Sequence, residues 1–283
     1  MFNFYDFMIG FILSLPIGYA SIKKKALTNG GVLFAFILGV IVAGFGGITW
    51  FLMLLTFYLT SSIITKYKKQ AKSFVIDKFQ KGGQRDIGQV LANGLIALIM
   101  VILENIYSSE IFFAGFIGAI ATVTADTWGT ELGILSKHKP ILITTLKPVE
   151  PGTSGAVSKL GFLATVTGSL CIGIIGLLSK VGEIILLEGN LSTAASVSLV
   201  WILGAGLIGG VTGATTDSFL GATMQAMFYC DVCQKETEKR IHTCGNKTRH
   251  IRGILLLDND GVNLVSSLVG ALVAMIIYLW FVP

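Results

Sequence analysis

Long apolar runs separated by short polar segments organise this chain. The runs cover residues 4–21, 30–46, 47–65, 88–107, 111–127, 159–180, 196–217 and 262–282. Each approaches the ~20 residues that a helix needs to cross a hydrocarbon core of ~30 Å. The second and third are continuous in hydrophobicity, and Gly44-Phe-Gly-Gly47 is the turn that divides them. The pattern predicts an all-α, polytopic membrane helix bundle of about eight transmembrane helices, folded as a single integral membrane domain over 1–283.

Composition agrees: 53% of residues are hydrophobic and only 13% charged, with a mean hydropathy of +0.77. The charges also orient the bundle. Of 21 Lys and Arg, all but Lys180 fall in alternate loops: 22–29, 66–87, 128–159 and 218–261. By the positive-inside rule these loops are cytoplasmic and both termini lie outside. The net charge of +5 then reflects orientation and anionic headgroups, and no nucleic-acid partner is expected. No cleaved leader is expected either, because the first lysines follow the first apolar run.

Two stretches read as copies of one another. Gly115-Phe-Ile-Gly118-Ala-Ile-Ala-Thr-Val-Thr124-Ala-Asp126-Thr127 aligns without a gap on Gly206-Leu-Ile-Gly209-Gly-Val-Thr-Gly-Ala-Thr215-Thr-Asp217-Ser218. Each carries one carboxylate at the C-terminal end of an apolar, glycine-rich run. An acid at the middle of a membrane helix costs about 2.5–3.5 kcal/mol even on the lenient insertion scale, so such groups face the protein interior or sit near an end. The pair predicts an internal repeat and a site built from it. Glu131 follows Asp126 by about one and a half turns, and Gly129 and Gly133 would let the helix break so that both acids converge.

Other polar motifs fall at the same face by this topology. Lys81-Gly-Gly-Gln-Arg85-Asp86 precedes a helix that carries Asn93, and Asp258-Asn-Asp260-Gly-Val-Asn263 precedes the last span. Lys147-Pro-Val-Glu-Pro-Gly-Thr153-Ser154-Gly-Ala-Val-Ser158 leads into a helix N-terminus, where backbone N–H groups favour an anion such as phosphate. Within the loop at 228–252, Cys230-x2-Cys233-x8-His242-x-Cys244 offers four N/S ligands in a reducing compartment, a donor set for a structural Zn²⁺ knuckle.

Carboxylates, a lysine and a Gly/Ser/Thr loop beside a membrane suit Mg²⁺-assisted chemistry on phosphates. The sequence shows neither a Walker-type loop nor a readable Ser-His-Asp arrangement. The motifs at Asp126–Gly133, Pro151–Ser158 and Asp217–Gln225, with Lys81–Asp86 and Asp258–Asn263, resemble the integral membrane family of transmembrane protein 19 and plant phytyl-phosphate kinase, the domain-of-unknown-function 92 family. That resemblance covers nearly the whole chain. It implies a kinase that turns an isoprenoid monophosphate into its diphosphate, with a nucleoside triphosphate, CTP by analogy with polyprenol kinases, as donor. On it, Asp126 and Asp217 bind Mg²⁺ together with Glu131, and Asp258 and Asp260 are further metal candidates. Lys147, Thr153 and Ser154 contact phosphates, as Ser158, Ser218 and Gln225 are placed to do, and Arg85, with Asp86, Asn93 and Asn263, serves the substrate. A cytidylyltransferase making a CDP-lipid and a polyprenyl-phosphate transporter are the competing readings.

Overall fold

A computed structural model describes residues 3–68, 70–72, 84–188 and 200–282. Among them, seven helices are long and apolar enough to cross a membrane. They are α1 (Phe4–Lys23), α2 (Asn29–Gly46), α3 (Ile48–Lys66), α4 (Ile87–Tyr107), α5 (Glu110–Gly133), α6 (Lys159–Glu188) and α8 (Asn259–Phe281). The eighth element, α7, is helical in three segments: Val200–Gly204, a π-helical Ala205–Gly209, and Gly210–Thr223. The expected count of about eight therefore holds, with the seventh span irregular. Residues 196–199 of that span lie outside the described ones.

The helix boundaries follow the local chemistry. Thr28 accepts from Gly31 N (3.1 Å) to open α2, and Asp86 accepts from Gln89 N (3.0 Å) to open α4. Asp258 accepts from Gly261 N (3.1 Å) to open α8. These side chains satisfy N–H groups that have no partner within the helix. The α2–α3 turn is made at Gly47, whose φ of +81° a side chain rarely tolerates.

At the centre stands α5. Every residue from Phe113 to Ala125 is buried, as expected of a helix that is hydrophobic all round and enclosed by its neighbours. It packs on α3, α4, α6, α7 and α8. An aromatic cluster closes one end of the core: Trp50 stacks against Phe113 and Phe116, and Trp201 against Phe113 and Tyr278. At that end Lys180, the lone basic residue on its side, lies 3.8 Å from Glu110 and 3.6 Å from Glu183. Two helix-borne glutamates, at the start of α5 and the end of α6, thus hold its charge locally.

The opposite end carries the small sheets. Strands β1 (Ile141–Leu142) and β2 (Ala156–Val157) form a hairpin between α5 and α6. Strands β3 (Met227–Cys230), β4 (Lys235–Thr237) and β5 (Arg249–Arg252) form an antiparallel sheet ordered β4-β3-β5 between α7 and α8. Arg252 fixes this sheet to the bundle by donating to the Gly221 (3.1 Å) and Ala222 (2.7 Å) carbonyls, the free acceptors at the C-terminus of α7.

Candidate active site

The two repeats pack on each other through matching positions. A methyl group at Gly209 would sit 3.2 Å from the Gly118 Cα and 2.9 Å from the Gly270 carbonyl oxygen. At Gly213 it would run into Thr122, whose hydroxyl donates to Gly118 O (2.8 Å) and Gly209 O (3.4 Å). Glycine at these sites lets α5, α7 and α8 approach to backbone contact, as small residues do where helices cross in a membrane. The π turn in α7 begins beside another such approach, Gly206 against the Gly173 backbone. Such turns cluster at functional sites.

Two turns beyond this crossing, the repeat carboxylates meet. The side chains of Asp126 and Asp217 are within hydrogen-bonding reach of one another. Ser266 on α8 donates to Asp217 Oδ2 (3.1 Å). Both acids line an open cleft of about 800 Å³. Its α5 wall is Asp126, Gly129, Thr130 and Gly133, the i, i+3, i+4, i+7 stripe of one helix face.

The opposite wall is the loop from Pro151 to Ser158, and the structure brings Thr153, Ser154, Ser158, Ser218 and Gln225 to the same cleft, as the sequence pattern predicts. Gly155, at φ +79°, packs its backbone against Ser218 O and Ala222, closing the loop onto α7. Ser158 accepts from Gly161 N (3.0 Å) and donates to Gly133 O (3.1 Å), capping α6 and joining it to α5. Ser154 donates to Gln225 Oε1 (2.9 Å). Gln225 is only 2% exposed, and its buried Nε2 has no hydrogen-bond partner among the described residues. An unfilled buried donor is costly, and a ligand in the cleft would satisfy it.

Other expected site residues lie elsewhere. Helix α5 runs unbroken to Gly133, so Glu131 points about 140° away from Asp126 at 3.6 residues per turn. Its carboxylate takes an ion pair from the buried Lys72 (2.7 Å), which also donates to Ile64 O (2.8 Å). The expected convergence of the two acids does not occur. Lys147 is exposed on the hairpin, its carbonyl accepting from Leu142 N (2.9 Å), and does not line the cleft. Asp258 is spent on the α8 cap, and Asp260 and Asn263 in the first turns of α8 are not cleft-lining either, whereas Asn259 is. Arg85 and Asn93 border a separate chamber, and Asp86 caps α4. Lys81 lies outside the described residues.

Sequence reasoning missed Glu238. It lies just past β4 and reaches the cleft, close enough to Asp126 and Asp217 to act on both electrostatically. Nothing in its local pattern marks it, since it arrives through the fold of the Cys/His segment. There Cys230, Cys233, His242 and Cys244 place one ligand atom each within 4.8 Å of all the others. The Cys230 and Cys244 sulfurs are 3.7 Å apart, matching the edge of about 3.8 Å of a tetrahedron with metal–sulfur bonds of ~2.3 Å. This set could hold a metal ion. Hydrogen bonds from Asn246 bring the Cys244 thiol down to about 6, whereas those with Cys244 hold Cys233 up at about 11. A divalent cation shared by all four would remove that imbalance.

Fold and cleft together define a polytopic helical membrane protein with an acidic, hydroxyl-lined site at one end of its bundle. The chain belongs to the family described as integral membrane protein DUF92, which matches residues 12–271. It is 35% identical to Protein PGR of Arabidopsis thaliana, over 91% of each chain. An uncharacterized membrane protein of Methanocaldococcus jannaschii is 33% identical, over 90% of this chain and 87% of that protein. Protein VTE6, chloroplastic, of Arabidopsis thaliana is 27% identical over 59% of this chain and half of its own length. No solved structure matches the chain.

Proposed function

We propose that this protein is a Mg²⁺-dependent phosphotransferase that converts an isoprenoid monophosphate to its diphosphate with a nucleoside triphosphate, CTP by analogy, as donor. One observation carries the reading: two carboxylates from matching repeats meet in a cleft whose other wall is a Gly/Thr/Ser loop. Two adjacent carboxylates repel unless a proton or a cation sits between them. Carboxylates facing phosphate-binding groups are what Mg²⁺ takes. The motif resemblance to the family of plant phytyl-phosphate kinase, and the partial similarity to the chloroplastic relative, support the same chemistry.

Asp126 and Asp217 would hold the ion, which when bound neutralises charge on the transferring phosphate. Ser266 donates to Asp217 Oδ2 and so fixes that carboxyl group beside Asp126. Ser218 and the free Nε2 of Gln225 are donors available to phosphate oxygens, and Thr153 and Ser154 would join them by giving up the hydrogen bonds they now donate to Glu150 O and Gln225 Oε1. A phosphate monoester is already an anion near neutral pH, its second pKa being about 6, so no general base is required. The absence of a Ser-His-Asp arrangement fits that economy. Glu131 and Lys72 brace α5 against the segment after α3, and the Cys/His cluster, binding Zn²⁺, fixes the strands that bring Glu238 to the cleft. The cleft opens at the cytoplasmic face, with both termini outside.

The test uses purified protein in detergent, Mg²⁺, geranylgeranyl or phytyl monophosphate, and CTP or ATP labelled at either the γ or the α position. Label from the γ position in a lipid diphosphate, lost in Asp126→Ala and Asp217→Ala, establishes the kinase. Label from the α position in the lipid would instead make it a cytidylyltransferase. No labelled lipid from folded protein would leave transport as the standing reading.

A further inference from the structure

The second chamber of the molecule is chemically unlike the first. It lies among α1, α2, α3 and α4, spans about 750 Å³ including its open mouth, and is lined mainly by apolar side chains such as Phe36, Phe51, Leu54 and Leu55. One end is polar, and Arg85, Gln89, Asn93 and Tyr58 border it there. Helix α1 packs along α2 and meets α3 at few places, one of them the Ser21–Tyr58 hydrogen bond. Large apolar residues of α1, among them Phe11, Ile12 and Leu15, are exposed and face the bilayer in a membrane protein. The seam between α1 and α3 is thus a route for a hydrocarbon chain.

Arg85 is the unusual member. Its backbone is structural, since its N–H donates to Ala26 O (3.0 Å) and its carbonyl accepts from Thr28 N (2.9 Å). Its side chain is half-buried, and the guanidinium lies over the Phe57 ring, 5.8 Å from the centroid. Among the described residues it has no hydrogen bond and no ion pair. Glu131, the carboxylate that acts on it electrostatically, is already paired with Lys72. Five N–H donors and a full charge are therefore held without an anion beside an apolar chamber. Gln89 Oε1 on the same wall is also buried without a partner among the described residues. A half-buried charge beside a buried polar atom without a partner is what an anionic head group would complete. The guanidinium fork matches phosphate oxygens.

We propose that this chamber holds the head-proximal part of a single prenyl chain whose phosphate is bound by Arg85. The proposal rests on the lipid-phosphate reading above and adds a loading site for the chain apart from the carboxylate cleft, with whose lining the chamber shares no residue; for transfer the phosphate must pass on to that cleft. Ser14 to Ser21 on α1 and Phe51 to Tyr58 on α3 mark its depth, seven residues each, or about 10 Å at 1.5 Å per residue. It therefore takes the first isoprene units, and the rest of a longer chain leaves through the seam into the bilayer. The chemistry, an apolar chain ending in phosphate, is shared with bilayer phospholipids. A slot walled by four helices suits one chain and not two.

The test is photolabelling of the full-length protein in detergent with geranylgeranyl monophosphate carrying a diazirine on its second isoprene unit, mapped by peptide mass spectrometry. Label should fall on α1–α3 peptides and be competed by geranylgeranyl monophosphate, but not by geranylgeraniol or by phosphatidic acid in tenfold excess. Arg85→Ala and Ala35→Phe, which fills the chamber, should each cut labelling at least tenfold, with Arg85→Lys between. Arg85→Ala should lower the melting temperature only slightly, because among the described residues the guanidinium has no hydrogen bond or ion pair and gives up only its place over the Phe57 ring. Equal competition by phosphatidic acid would hand the chamber to bilayer lipid and overturn the proposal. So would label confined to cleft peptides, or full labelling of both variants. The readout needs no turnover, so the chamber stands if labelling maps as expected while no phosphate is transferred. It falls alone if transfer proceeds while label maps elsewhere.

Discussion

Substituting Gly118 by alanine probes the contact that brings the two repeats together. An added methyl group would run into the Gly270 carbonyl oxygen and sit 2.8 Å from its carbon and 2.6 Å from Ala274 Cβ. Ordinary contact begins near 3.4 Å, so clearing Ala274 Cβ alone requires α5 and α8 to part by roughly 0.8 Å, the Gly270 carbonyl oxygen requires more, and a backbone carbonyl has no rotamer to escape into. Overpacking of this kind costs about 3 kcal/mol at its usual upper end, and the better helix propensity of alanine returns about 1. The net loss of about 2 kcal/mol corresponds to a melting temperature lower by about 4–8 °C for a domain of this size. Asp126 lies eight residues on, about 12 Å along the same rigid helix, so the displacement reaches the carboxylate pair. A misplacement approaching 1 Å can cost a hundredfold in rate, and a loss of at least tenfold is expected here. The measurement is thermal unfolding in detergent by size-exclusion fluorescence, alongside labelled-phosphate transfer. Gly182→Ala is the control: a methyl group there meets nothing within 4 Å, and a gain of about 0.5–1 kcal/mol is expected. A Gly118→Ala protein as stable and as active as the parent would refute the close-approach argument.

Three further outcomes follow from the same structure. Ser266→Ala removes the donor to Asp217 and should slow transfer about tenfold, with a melting temperature changed by no more than the loss of one hydrogen bond of about 1 kcal/mol. Glu131→Gln leaves Lys72 buried without its partner and should destabilise the protein by about 3–5 kcal/mol, while leaving the Mg²⁺ concentration for half-maximal rate unchanged; a shift in that concentration would return Glu131 to the metal site. Cys230→Ser should abolish stoichiometric zinc, read by mass spectrometry of the purified protein, and lower activity by loosening the strands that carry Glu238; full activity in zinc-free protein would contradict that link.

Much of this architecture was legible from the chain. Hydrophobic run lengths and charge alternation located the helices to within a few residues at most ends, and the break at Gly47 falls inside the expected turn. The repeat alignment found Asp126 and Asp217, because matched glycines dictate matched packing and so bring equivalent positions together. What was not legible depended on direction around a helix or on distant chain segments. Helix α5 continues past Asp126 through two glycines that were read as a break, since tertiary packing against Gly161 and Thr165 holds them helical. Glu131 consequently faces Lys72, a residue 59 positions away that no local pattern connects to it. Lys147 has the right neighbours in sequence but sits on the far side of a hairpin. Glu238 was invisible for the converse reason: its place depends on the Cys/His segment folding back beneath α7.

The central claim is that Asp126 and Asp217 together hold one divalent cation. Mn²⁺, which binds in place of Mg²⁺ and is read directly by electron paramagnetic resonance, can be titrated into the detergent-purified protein beside its Asp126→Asn and Asp217→Asn variants. One site per chain, lost in each variant and competed by Mg²⁺, is the expected result. A site of undiminished affinity in both variants would contradict the account.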